Sequence, residues 1–221
     1  MDVMHGHVQA NALSSSSFRP FGQYVLRSRS CVLTPVRGTD SVFIRALWGN
    51  QAFMHDFHRL APPLPASDLE LVARLEQDFR ESGAKSAALN WIIRTPAGKP
   101  VGMLTLTALS RVHRRGEVML GVLPDAPFGI ATAAMLMIFE LFFRTLQFNK
   151  LYSFVFADNR HSLKGTLHLG FSIEGELRQH VFDHESNQYI DLIQTALFAD
   201  QAFNARNRKL MERLLFPSRK K

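Results

Sequence analysis

The chain has 221 residues, 46% of them apolar and 20% charged, with a formal net charge of +7 and a single cysteine. That length buries one good core, so one domain with ragged ends is expected. The apolar content excludes a disordered protein, and the lone Cys31 excludes a disulfide framework or a cysteine-rich metal site.

Residues 3–39 contain no Asp or Glu and carry Arg19, Arg27, Arg29 and Arg37, with serines at 14–17. That is the composition of a transit peptide, but without an apolar amphipathic stripe a disordered or flexible arm over residues 1–23, in part an expression remnant, is the better reading, and the alternatives stay open. Tyr24 to Val36 can form a first strand. Thr39 or Asp40 can cap a helix running to about Trp48. A connection rich in aromatics and histidines follows, holding Phe53, His55, Phe57 and His58, and Ala61-Pro-Pro-Leu-Pro65 breaks the chain. Ser67-Asp68 then caps a second helix, whose Leu69, Val72, Leu75 and Phe79 recur at helical spacing until Gly83.

Strands are expected at Ala87–Arg94, Val101–Ala108 and Glu117–Leu123, with a turn at Pro96–Lys99. After the loop Pro124–Gly129, Thr132–Phe148 is the most apolar helix, relieved by Glu140 and Arg144 one turn apart. Strand Leu151–Ala157, helix Ser162–Leu169 and strands Glu176–Asp183 and Gln188–Leu197 follow. A last helix, about Asp200 to Leu215, carries Phe203, Leu210 and Leu214 on one side. This order predicts an α/β (α+β) domain over 24–198, a mixed sheet with helices on both faces, and a basic helix or tail over 199–221.

The net charge is localised: Phe203 to Lys221 holds seven basic residues and one acidic residue. Such a tail is a solvated helix end or a contact for nucleic acid or the ribosome. No apolar run reaches membrane-spanning length, so no membrane contact is expected, and a cytoplasmic protein is.

Two stretches carry chemistry. In Pro127-Phe128-Gly129-Ile130-Ala131-Thr132 a glycine precedes a buried helix, so backbone can approach a ligand and unpaired N–H groups point outward. From Asn159 to Gly175 an amide and a hydroxyl (Asn159, Ser162) stand where a strand meets a helix N-terminus, a place suited to polar parts of a ligand. His55-x-x-His58 has ligand spacing but no third ligand nearby, and no metal is expected.

Asn159-x-x-Ser162, then Leu169-Gly170-Phe171, then Glu174-Gly175 resembles the GNAT superfamily of N-acetyltransferases, the branch acetylating ribosomal-protein N-termini in particular. The resemblance covers about Val25 to Leu197, with its specific motifs in Glu117–Gly175. It implies a central mixed, mostly antiparallel twisted sheet flanked by helices on both faces. It implies acetyl-CoA as donor, its pyrophosphate cradled by N–H groups of Phe128, Gly129, Ile130, Ala131 and Thr132. Val122 and Leu123 would add coenzyme contacts, the Val122 N–H polarising the thioester carbonyl. Asn159 and Ser162 would bond the coenzyme, Ser162 also ordering a water in catalysis. Glu117 would be the base freeing an acceptor ammonium, with His113 and His161 as further candidates. The last two strands would border the acceptor together with the first two helices, and an Asp at the position of Asp191 is often structural.

The acceptor would be a protein N-terminus, a polyamine or an amino sugar, and the protein a monomer or homodimer. Ala126 and Pro127 depart from the family's loop, which has Gln or Arg and commonly Gly at these positions, and Thr166 stands where many members have Tyr. These departures leave open a non-catalytic protein of this fold that engages an acidic partner through its basic tail.

Overall fold

Alternation along the strands sorts the apolar residues into two cores, one on each face of a single sheet. In the strand Leu89–Arg94, Leu89, Trp91 and Ile93 enter one cluster while Ile92 enters the other. The computed structural model describes residues 23–82, 88–184 and 186–216. The expected arm up to residue 22, Gly83, the start of a strand at Ala87 and the basic residues Arg219, Lys220 and Lys221 lie outside the described residues.

The strands are β1 (Leu26–Arg27), β2 (Val32–Pro35), β3 (Leu89–Arg94), β4 (Pro100–Ser110), β5 (Arg115–Val122), β6 (Lys150–Phe156), β7 (Ser172–Asp183) and β8 (Gln188–Phe198). They form one eight-stranded sheet in the order β1-β2-β3-β4-β5-β6-β8-β7. All neighbours pair antiparallel except β5 and β6. The helices are α1 (Ser41–Trp48), α2 (Gln51–His58), α3 (Asp68–Glu81), α4 (Ile130–Phe139), α5 (Arg160–His168) and α6 (Ala205–Leu214). The mixed, mostly antiparallel sheet expected from the sequence is therefore present. Among the described residues no helix is long and apolar enough to cross a membrane.

Three expectations need correction. The stretch after Trp48 is not an irregular connection but helix α2: Asn50 caps it by accepting from Phe53 N–H at 3.0 Å, and Phe53 and Phe57 bury one face. The first strand is broken into β1 and β2 by a turn in which the Ser28 hydroxyl accepts from Cys31 N–H. The apolar helix stops being α-helical at Phe139, and Glu140–Thr145 widens into a π turn. That turn places Phe142 against both Phe143 and Phe148, with centroids 5.1 and 4.8 Å apart. The expected Glu140–Arg144 pair forms within it at 2.8 Å. The Ser67 cap of α3 is also present, accepting from Glu70 N–H.

Asp191 does structural work. Its carboxylate accepts from the N–H of Gln179, which adopts φ +50° where β7 bulges between Leu177 and Val181. Cys31 is fully buried, and burial pushes its thiol up to about 12, so it stays protonated and inert at neutral pH.

Candidate active site

The parallel pair of strands separates before it ends. β5 and β6 are in register only at Arg115–Lys150, Gly116–Leu151 and Glu117–Tyr152. Beyond that point β5 stays with β4 as far as Val122, and β6 stays with β8 as far as Phe156. The sheet thus opens as a wedge toward the carboxyl ends of the two strands. The N–H of Leu123 donates to the Val101 carbonyl at 2.8 Å. Alternation along β5 therefore turns the Val122 N–H away from β4, toward the opening.

A cavity of about 380 Å³ occupies the wedge, walled by α2, the start of α4 and α5. Val122, Ala131, Thr132, Asn159 and Ser162, all named from the sequence, line it together. Phe128, Gly129, Ile130 and Leu123 do not. Phe128 is fully exposed and Ile130 is buried in the core. Leu123 spends its carbonyl on Ala126 N–H as well as its own N–H on Val101.

Gly129 is the N-cap of α4, with φ +83° in the left-handed region that other residues resist. Its conformation aims the first turn at the cavity. The Ile130 N–H goes to the Pro127 carbonyl and that of Ala133 to Gly129, while those of Ala131 and Thr132 have no acceptor among the described residues. Two cavity-lining donors at the positive end of a buried helix suit a phosphate.

Across the cavity, α5 is capped by Asn159, whose Oδ1 accepts from Ser162 N–H at 2.9 Å. Asn159 is thus the capping group, and the Ser162 hydroxyl bonds no described residue. The Thr166 hydroxyl is occupied, donating to the Ser162 carbonyl at 2.9 Å. Gly165 also lines the cavity, and a Cβ there would meet nothing within 4 Å. Strand packing therefore does not explain this glycine, which borders open cavity space. Gly165→Ala is expected to stabilise the empty protein by about 1 kcal/mol through helix propensity. If CoA, the ligand the resemblance implies, occupies this cavity, the added methyl should weaken its binding severalfold, and thermal melts with and without CoA read both effects.

Glu117 sits at the neck of the wedge without lining the cavity. Gly121 faces the rings of Phe53 and Phe57 on α2, so by alternation Glu117 and Met119 share that face. The Glu117 side chain makes no hydrogen bond or ion pair with a described residue, and burial raises its carboxyl above the ordinary range. Neither nearby arginine pairs with it: Arg114 donates to the Gln147 carbonyl, and the Arg115 guanidinium lies 5.9 Å from the centre of the Tyr152 ring. An unpaired, partly buried carboxylate beside a cavity is a candidate base. Of the other candidates, His161 lines the cavity and His113 lies exposed in the β4–β5 turn.

Sequence reasoning named Phe53 and Phe57 on an irregular connection, and it missed their helix, the neighbouring Asn50, Ala52 and Asp56 of the same wall, and Ser153 of β6. The Asn50 cap and the Phe53–Phe57 spacing of one turn were the available signals for α2. Nothing local marks Ser153. Among the described residues no three His, Cys, Asp or Glu side chains gather as a metal site; His55 is paired with Asp56 at 3.2 Å.

Comparison with known proteins bears on this arrangement. The spermidine N(1)-acetyltransferase of Escherichia coli K12 is 32% identical over 105 residues, 47% of this chain and 55% of that protein. The chain thus matches about half the length of that relative. The uncharacterised N-acetyltransferase YoaA of Bacillus subtilis 168 is 26% identical over 118 residues, 52% of this chain and 67% of that protein. The crystal structure of the Vibrio cholerae spermidine N-acetyltransferase in complex with CoA and spermine superposes with a TM-score of 0.68. It is 19% identical and covers 79% of this chain and 99% of that one, which speaks to the fold alone. The family model for the acetyltransferase (GNAT) domain matches residues 31–172, which include the wedge, the Gly129 turn and the Asn159 corner. With that match over more than half its length, the chain belongs to the GNAT family of acetyltransferase domains.

Proposed function

We propose that this protein is an acetyl-CoA-dependent N-acetyltransferase whose acceptor is a primary amine of the polyamine type. The wedge between β5 and β6, leading to the free N–H groups of α4, carries the reading. The name of the Escherichia coli relative supports the acceptor class.

In this reading the donor's pyrophosphate lies on the N–H groups of Ala131 and Thr132, and its pantetheine arm follows the wedge past Gly165 and Ser162. Glu117, directly or through water, takes a proton from the acceptor ammonium, because a protonated amine has no lone pair to attack with. The amine nitrogen attacks the thioester carbonyl, the Val122 N–H steadies the negative oxygen, and the C–S bond breaks. Thr166 offers a poor acid, but a thiolate of ordinary pKa near 8.5 leaves with little help. Ser162 orders a water or bonds the coenzyme.

A second reading rests on Pro127, which removes a donor from the loop, and on Ala126, which packs against the core instead of reaching a phosphate. In it the chain keeps the fold without turnover and engages an acidic partner through its basic end. Calorimetric titration with CoA, followed by an acetylation assay with spermidine, an N-terminal peptide and an amino sugar, separates the two. Micromolar CoA binding with acetylation of spermidine is expected. Absence of CoA binding at millimolar concentration sinks the transferase reading.

A further inference from the structure

We infer that Arg59 is a positioning residue for the acceptor: it clamps α2 to the corner that opens α5 and so fixes one wall of the cavity, including Asp56. The inference rests on reading the cavity as a transferase site.

Arg59 follows the last residue of α2, and its side chain is only 5% exposed. Its Nη1 and Nη2 donate to the two carboxylate oxygens of Asp158, both at 3.0 Å. Its Nε donates to the His55 carbonyl at 3.0 Å, tying it back onto α2. The guanidinium lies 4.0 Å over the ring of Phe156, the last residue of β6. The planar fork meets a carboxylate, a carbonyl and an aromatic face at once, which a lysine cannot reproduce.

The two ends of the clamp lie beside different elements that line the cavity, α2 and α5. Asp158 directly precedes Asn159, whose side chain caps α5 beside Ser162. On the other wall, α2 has only eight residues, too few to hold a helix unaided. Phe53 and Phe57 pack against Gly121 and secure its middle, while Arg59 secures its C-terminal end. Asp56 lies at that end, lines the cavity and pairs with His55, itself 3.4 Å from Arg59 Nη2. Asp56 is the only carboxylate among the described residues that line the cavity, so its placement bears most on an acceptor with a second positive charge. The hydrogen bonds from Arg59 hold Asp158 below the usual carboxylate range, which keeps the pair ionised at neutral pH.

The test uses Asp158→Asn, which preserves shape, beside Arg59→Lys, with spermidine and a monoamine as acceptors. Both variants should raise the spermidine KM about tenfold and the monoamine KM much less, with CoA affinity within about twofold of wild type. Lysine should not rescue. Hydrogen exchange at the amides of α2 should quicken while that of α3 does not. Unchanged spermidine KM together with unchanged α2 exchange overturns the proposal. So does a loss of CoA affinity parallel to the rise in acceptor KM, because the corner rather than α2 would then be the part disturbed. If the wild type binds CoA but acetylates no amine, the transferase reading fails by itself. The exchange measurement then decides the clamp: faster α2 exchange in Asp158→Asn supports it, and unchanged exchange sinks it.

Discussion

Glu117→Gln should lower kcat by about 100-fold or more, the range expected when a general base is removed, while leaving CoA affinity intact. The wild-type rate should fall as pH drops through the raised pKa of Glu117, since only the carboxylate accepts a proton. The variant should lose that limb of the profile. The same substitution makes an opposite forecast for stability. A carboxyl whose pKa is raised by burial favours the fold while protonated, and that contribution is lost as pH rises through the folded-state value. Glu117→Gln should therefore melt close to wild type at pH 4 and above it at pH 8. Higher stability with lower activity would mark a carboxylate kept in an unfavourable place for its chemistry. A wild-type rate and pH profile in the variant would show that the base lies elsewhere, with His161 the next residue to replace.

Substitution at Gly129 should produce the second large effect, graded by backbone freedom rather than by size. A Cβ there would find only Leu214 Cδ2, at 3.7 Å, so space is not the constraint. The constraint is φ +83°, which costs an ordinary residue about 1–2 kcal/mol and a β-branched one more. Asn tolerates this region and should bind CoA within a few-fold of wild type. Ala should weaken binding by roughly tenfold and Val by roughly 100-fold, as relaxation of the turn swings the Ala131 and Thr132 N–H groups off the phosphate. Calorimetry with CoA gives the affinities, and melting without ligand shows how much of each loss is general destabilisation. Wild-type affinity in Gly129→Val would mean that this turn does not hold the phosphates.

Much of the fold was legible because its signals are local. The Ser67 cap, the Pro96–Lys99 turn and the apolar run from Ala133 each act within a few residues, and the elements they mark appear close to where they were expected. The part of the cavity wall made by the start of α4 and by α5 was legible for the same reason. Gly129 before a buried helix, and Asn159 three residues before Ser162, encode their geometry in short stretches of backbone.

Tertiary structure decided the rest. The wedge exists because β6 leaves β5 after Tyr152 to stay with β8, a choice made by pairing with a strand some forty residues later. α2 is short and half polar, and it gains its place by packing on Gly121 and by the clamp between Arg59 and Asp158, 99 residues away. The unpaired state of Glu117 likewise follows from where Arg114 and Arg115 find other partners. By itself the sequence determined the elements and the Gly129 and Asn159 motifs, since caps, turns and apolar periodicity act over short distances. Only the folded chain determined the α2 wall of the cavity and the neck of the wedge, because these are made by residues far apart in sequence whose contacts no local pattern records.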